Sequence, residues 1–156
     1  MSDEGVKQRM HAALTAAMKA RDEVALTALR QALSALAVAE TAGDEVAVLT
    51  EEQVLAVLAV EVRKYHETAD AFITAGRPEK AERERSEAGV LEAYLPAALG
   101  DAELEALIVD EVAAAATDGA SGMKAMGRVV AAVRTKAGPG ADGSVIAAKV
   151  KAALSA

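Results

Sequence analysis

The apolar residues of the chain recur every three or four positions, which is the spacing of one face of an α-helix. Before Pro96 this pattern predicts four helices, the first over about residues 4–21 and the longest from Thr50 to about Ala75. Each helix has one stripe of larger apolar side chains, and that of the second is as narrow as a coiled-coil stripe. In chain order the stripes are Val6, Met10, Leu14 and Met18; Leu26, Leu29, Leu33 and Leu36; Val54, Leu58, Val62, Tyr65, Ala69 and Phe72; and Leu91, Tyr94 and Leu95.

Residues with known preferences for helix ends mark the limits of these elements. Asp22 is a good N-cap for the second helix, and Thr50 with Gln53 has the pattern of a capping box before the third. Gly43 and Gly76 end the second and third helices, because glycine is favoured just beyond a helix C-terminus. Pro78 suits the first turn of the fourth helix, where a missing N–H costs nothing.

Pro96 is the strongest boundary in the sequence, since proline stops a helix and Gly100 with Asp101 then begins a new one. We therefore predict two domains, residues 1–96 and 97–156. Three shorter helices follow, over about 101–117, over 122–136 after Ser121 as N-cap, and from Asp142 onward. A breaker, Gly138-Pro139-Gly140, separates the last two. Their expected inward residues are Leu104, Leu107, Ile108 and Val112; Met126, Val129, Val130 and Val133; and Ile146, Val150 and Leu154.

Composition supports an all-α fold, an N-terminal four-helix region followed by a small C-terminal three-helix bundle. Alanine, the best helix former, occupies 40 of the 156 positions. The absence of cysteine excludes disulfides, thiolate metal sites and a cysteine nucleophile. Three aromatic residues are too few for platforms that stack bases. Neither a membrane span nor a secretory signal is evident, so we expect a cytoplasmic protein.

Charge is unevenly distributed along the chain. Residues 1–100 contain 11 Lys/Arg and 17 Asp/Glu, a net charge of −6, whereas residues 119–156 contain six Lys/Arg and one acid, a net charge of +5. The six cations are candidate nucleic-acid-binding residues, because Lys and Arg can track a phosphate backbone. The alternative is an ordinary solvent-facing helix surface, which must also be charged. The six residues are Lys124, Arg128, Arg134, Lys136, Lys149 and Lys151.

The remaining candidates for chemistry are weak. His66 and Asp70 are four residues apart on one helix face and could share a metal ion, but no third ligand is indicated and exposed pairs of this kind are common. His11 has no nucleophile beside it in the pattern. Adjacent carboxylates, such as Glu51 with Glu52, have no evident apolar pocket that would raise a pKa for acid–base catalysis. We therefore predict no catalytic residue, no metal site and no cofactor.

Several segments, taken in order, resemble the GatB/YqeY family over residues 5–154. They are Arg30–Glu40, Glu61–Lys64, Phe72–Arg77, Glu79 with Lys80, Val90–Pro96 with Leu99, and Met123–Val130. The Tyr-Leu-Pro junction ending at Pro96 and the Met-Gly-x-Val helix are the most specific. Val130 departs from the family pattern, in which a second methionine is common; the change conserves a core residue. The family consists of free-standing proteins similar to the tail of GatB, one component of the tRNA-dependent Asp/Glu amidotransferase.

The resemblance implies a helical N-terminal bundle, a smaller C-terminal bundle and a non-catalytic role. The GatB tail contacts tRNA, while the kinase and transamidation chemistry lies in a different part of GatB, so any carbon–nitrogen ligase (glutamine amido-donor) role would be accessory. It implies that Met123–Val130 and the following basic helix face RNA. The leading hypothesis is a module that binds tRNA or tRNA-like RNA, and the alternative is an adaptor that docks on an amidotransferase or another protein. An enzyme centred on His66 is the third possibility.

Overall fold

The described part of the chain, residues 4–138 and 140–156 of a computed structural model, is all-α, which confirms the predicted fold class. No strand occurs within those residues. The helices are α1 (Val6–Ala20), α2 (Glu23–Glu40), α3 (Glu51–Thr74), α4 (Pro78–Glu92), α5 (Asp101–Thr117), α6 (Met126–Ala137) and α7 (Gly143–Ser155), with a 3-10 turn, Gly122–Ala125, directly before α6. Met1–Asp3 and Pro139, the middle of the predicted breaker, lie outside the described residues.

The chain divides into two compact units, the first ending at Leu95 and the second running from Pro96 to Ala156. In unit 1, α3 and α4 pack as a hairpin against α2, and α1 packs on α2 and α3. In unit 2, α5, α6 and α7 pack on one another and on the 3-10 turn. Each unit has its own apolar core. None of the described helices is both long and apolar enough to cross a membrane.

Side-chain caps explain where three of the described helices, α2, α3 and α7, begin. The Asp22 carboxylate accepts a hydrogen bond from the Ala25 N–H, and Thr50 and Gln53 form the reciprocal capping box that their spacing predicts. Asp142 caps α7 by accepting from the Ser144 and Val145 N–H groups. Ser121 lies at the N-cap position of the 3-10 turn, but its side chain makes no cap bond, so the capping role predicted for it is wrong. The chain instead enters a 3-10 turn through Gly122, whose φ of 60° is favoured by glycine because it has no Cβ.

Two predicted core stripes are partly wrong. In α1, Met18 is 55% exposed and Ala17 is buried in its place. Successive steps of four residues advance about 40° beyond a full turn each, so a stripe that starts at Val6 has left the buried face by its last step. In unit 2, Ala125, Val129 and Val133 form the buried line, while Met126 and Val130 are only partly buried beside it.

Candidate nucleic-acid interface

The six predicted cations lie on the 3-10 turn, α6 and α7 of unit 2, and the burial of the intervening apolar residues determines where they point. Val129 and Val133 of α6 and Ile146 and Val150 of α7 are buried in the core of unit 2. The polar residues between them therefore face outward. Lys124, Arg128, Arg134, Lys136 and Lys151 are exposed, and Lys149 is half-buried.

Two cations of α6 pair with carboxylates of α5 or the residue that follows it. The Arg128 guanidinium binds the carboxylate of Asp118, the C-cap residue of α5, and the Lys136 ammonium binds Glu111. The Glu111 side chain is only 11% exposed, so this pair is partly shielded from water. These two positions are about 80° apart on the helix, and together they define the side of α6 that faces α5.

Lys149 on α7 also pairs with α5. Its ammonium lies 3.0 Å from the Glu105 carboxylate and 3.9 Å from Asp101. The hydrogen bond to Glu105, helped by the negative charge of Glu105 and Asp101, raises the pKa of Lys149. Lys149 is therefore engaged within the unit, like Arg128 and Lys136. We call the ion pairs of these three cations the α5 edge pairs.

The α5 edge pairs change the interpretation of the positive charge of residues 119–156. Counted alone, residues 119–156 have a net charge of +5, but residues 96–156, the whole of unit 2, contain six Lys/Arg and seven Asp/Glu. Half of the predicted binding residues thus form ion pairs with carboxylates of α5 or of its C-cap residue. A signal for this was present in the sequence, since Glu105 and Glu111 flank the apolar stripe of Leu104 and Ile108 and would meet the edges of neighbouring helices.

The remaining three cations are not part of the α5 edge pairs: Lys124, Arg134 and Lys151. Within residues 4–138 and 140–156, neither Lys124 nor Lys151 has a carboxylate within ion-pair distance. Arg134 lies against the start of α7: a Cβ atom on Gly143 would be 3.5 Å from its guanidinium carbon. Lys124 and Lys151 thus differ from the three cations of the α5 edge pairs.

The possible metal pair on α3 does not form. His66 Nε2 contacts the Glu92 carboxylate of α4, and Asp70 lies 3.7 Å from the Arg85 guanidinium instead. Both α3 residues are thus turned toward α4 rather than toward a shared ion. Among the described residues no three His, Asp or Glu side chains come together as metal ligands would.

A buried polar cluster between α2, α3 and α4 was missed from the sequence. Glu61 and Glu87 are each only 5% exposed; Lys64 pairs with Glu61 at 2.9 Å and Arg83 with Glu87 at 2.7 Å. The Tyr65 hydroxyl donates to Gln31 at 3.3 Å, and Gln31 donates in turn to Glu61.

Burial raises the pKa of Tyr65, and the Glu87 and Glu84 carboxylates raise it further. The cluster is hard to see in the sequence because Glu61 and Glu87 look like ordinary solvent-facing charges. Every buried side-chain N or O atom of the described residues has a partner, so the cluster is a satisfied network with no unpaired group available for chemistry.

The YqeY family model, described as Yqey-like protein, matches residues 7–154. The chain belongs to this family. The match spans both units and confirms the resemblance read from the sequence motifs. The family is related to the C-terminal tail domain of GatB. No curated protein matches the chain.

Proposed function

We propose that this Yqey-like chain is a non-catalytic module that binds tRNA or tRNA-like RNA through the phosphates and shape of the RNA backbone. The observation that carries the proposal is the set of exposed Lys and Arg side chains on α6, α7 and the 3-10 turn, on a scaffold related to the GatB tail. Residues 119–138 and 143–156 contain no Asp or Glu, so no carboxylate of those segments opposes a phosphate.

The placement of the aromatic residues favours phosphate contact over base stacking. Tyr65 is buried, Tyr94 is half-buried with Arg9 over its ring, and Phe72 is half-buried with Lys80 over its ring. Base stacking requires exposed ring faces. These three rings are all in unit 1, and unit 2 has no aromatic residue. Recognition by charge and shape remains, and such binding is expected to be weak and salt-dependent.

The test is a titration of fluorescently labelled tRNA with the full chain at about 0.05 M and about 0.2 M salt. We expect binding at low salt and a linear fall of log K with log salt, with a slope of roughly −2 to −3 if three cations contact phosphates. A DNA duplex of matched length is the control, because it has the charge but not the 2′-hydroxyls or A-form shape. No binding of tRNA at low salt would overturn the proposal.

A second candidate is a protein adaptor, and the exposed valines of unit 1 favour it. The narrow leucine stripe of α2 is unavailable to a partner, since Leu26, Leu29 and Leu36 are buried within unit 1. Val46 and Val48, in the segment between α2 and α3, are 77% and 95% exposed. The Ala47 N–H donates to the carbonyl of Glu40, the last residue of α2, and this hydrogen bond holds the segment against the end of the helix.

The adaptor hypothesis predicts capture of a protein partner, such as an amidotransferase, that survives nuclease treatment. The double variant Val46→Ser/Val48→Ser should then lose that partner. Val109→Ser/Val145→Ser, which changes two exposed valines of unit 2, is the matched control and should keep it. Equal capture by both variants would argue against an adaptor surface at this segment.

A further inference from the structure

Two contacts fix how α6 and α7 lie beside each other. Arg134, near the end of α6, lies against Gly143 at the start of α7. At the other end, the Ser155 hydroxyl donates to the Met123 sulfur, at 4.0 Å. The helices are therefore antiparallel, and interpolation places Lys151 at about the level of Gly127.

The α5 edge pairs also show which sides of these helices face away from α5. Arg134 is about 200° from Lys136 on α6, and Lys151 is about 200° from Lys149 on α7. Since Lys136 and Lys149 both reach α5, Arg134 and Lys151 point away from it. In a three-helix bundle the sides of two helices that face away from the third helix form one outer surface, opposite the third helix. Arg134 and Lys151 therefore lie on the outer surface of α6 and α7 that is opposite α5.

Lys124 lies beyond the other end of α6, in the 3-10 turn. It is exposed and follows Met123, which contacts the last turn of α7. We call the surface formed by Lys124, Gly127 and Arg134 with Lys151 the α6–α7 seam. From Lys124 to Arg134 the seam is about 15 Å long, at a rise of about 1.5 Å per residue. Gly127 leaves its middle open, because nothing lies within 4 Å of the position that a Cβ would take.

We infer that the RNA backbone binds along the α6–α7 seam, and that the cations of the α5 edge pairs hold unit 2 together rather than contact RNA. This inference rests on the proposed RNA-binding function and names the part of the basic surface that performs it.

The counter-ions of the six cations carry the inference. Arg128, Lys136 and Lys149 already have carboxylates as partners, and a phosphate would have to displace those carboxylates. Lys124 and Lys151 can release counter-ions from RNA without losing an ion pair in the described residues.

The test compares two double variants of the full chain that remove the same charge. Lys124→Ala/Lys151→Ala should weaken tRNA binding about tenfold and reduce the magnitude of the salt slope by about 2, one for each phosphate contact. Arg128→Ala/Lys136→Ala should change the affinity less than about twofold and lower the melting temperature instead. Equal weakening by both variants would overturn the inference while leaving RNA binding intact, and absence of binding by the wild-type chain would overturn the proposed function.

An NMR measurement on the wild-type chain keeps the inference testable if a variant fails to fold. Addition of a short RNA hairpin should broaden or shift the backbone amide signals of Gly127, Ala131 and Ala148. The signals of Leu107 and Val109 on α5 should remain unchanged. Perturbation centred on α5, or spread evenly over the three helices of unit 2, would contradict binding at the α6–α7 seam.

Discussion

The two units differ in how deeply their carboxylates are buried and in which cations pair with them. Unit 1 buries Glu61 and Glu87 between helices and neutralises each with a cation from the same helix, Lys64 or Arg83. Unit 2 buries none of its described carboxylates to that degree, and three of them, Glu105, Glu111 and Asp118, pair along α5 with cations of α6 or α7. Two carboxylates of unit 1 are thus part of its interior, whereas in unit 2 paired carboxylates link the helices nearer the surface.

The two units also differ in the size of the apolar side chains that they bury. The largest fully buried residues of unit 1 are Met10, Leu29, Leu36, Leu58 and Leu91, and those of unit 2 are Ile146, Val129, Val133 and Val150. Burying a carboxylate costs free energy that the surrounding packing must offset. A core of leucines supplies more burial than one of valines. Unit 2 therefore depends more on helix caps and edge pairs for its stability.

The largest effect that tests this comparison comes from shortening a core side chain in each unit. Leu58→Ala should lower the free energy of unfolding of unit 1 by about 3 kcal/mol, and Val133→Ala that of unit 2 by about 2 kcal/mol, because more apolar volume is lost in the first. Native-state hydrogen exchange measures the two units separately. Equal loss of protection in both units after one substitution would show that they unfold together and would break the comparison.

A helix cap gives the next effect. Asp142→Ala removes the carboxylate that accepts from the Ser144 and Val145 N–H groups, and should destabilise unit 2 by about 1 kcal/mol. Ser121→Ala is the control, since the Ser121 side chain makes no cap bond, and should change stability by only a few tenths of a kcal/mol. Urea unfolding monitored at amides of α7 reports the difference. A larger loss for Ser121→Ala would mean that the cap has been misassigned.

The polar cluster of unit 1 predicts a pH effect. Because the pKa of Tyr65 is raised in the folded state, stability from its protonated hydroxyl is complete below a pH of about 10 and is lost as the pH rises further. The slope is at most about 1.4 kcal/mol per pH unit, and solvent around the cluster should keep it below about 1 kcal/mol per pH unit.

Tyr94→Phe leaves Tyr65 as the single tyrosine, so phenolate absorbance then follows Tyr65 alone. The absorbance should rise well above a pH of about 10 in the folded protein and at the ordinary pH in urea. Tyr65→Phe should abolish this part of the pH slope of stability. Identical titration curves with and without urea would contradict the description of the cluster.

The smallest effect concerns Glu84. Burial, and then the neighbouring Glu87 carboxylate, raises the pKa of Glu84, so its ionisation opposes folding at neutral pH. Glu84→Gln should stabilise unit 1 by a few tenths of a kcal/mol at about pH 7, and the gain should vanish as the pH falls below the ordinary glutamate value of about 4.3. Chemical denaturation at the two pH values measures the gain. Glu82→Gln, on an exposed residue of α4, is the matched control and should show no such gain.

Much of the fold could be predicted from the sequence because helix ends and apolar spacing are local signals. Asp22 and Thr50 each act within three residues of themselves, and the spacing of Leu26 and Leu29 identifies a buried face without knowledge of its partner. The prediction for Met18 failed because a fixed step of four drifts around the helix. The prediction that the Ser121 side chain caps the next helix failed because Gly122, with its positive φ, begins a 3-10 turn before α6 without a side-chain cap.

The candidate site was less predictable because its decisive contacts join distant parts of the chain. Lys136 and Glu111 are 25 residues apart, and Lys149 and Glu105 are 44 apart. A charge count along the sequence cannot tell a cation with such a partner from one without. The buried state of Glu61 likewise depends on a residue of α2 that is 30 positions away.

The α5 edge pairs have a consequence for how unit 2 behaves in an electric field. With six Lys/Arg and seven Asp/Glu the unit is almost neutral, yet its negative charges are concentrated on α5 and its remaining positive charges lie along the opposite side. Such an arrangement is a charge dipole. The field of a nearby polyanion favours the orientation of this dipole in which α5 points away from the polyanion. Its orientation on approach is therefore built into the same contacts that hold its helices together.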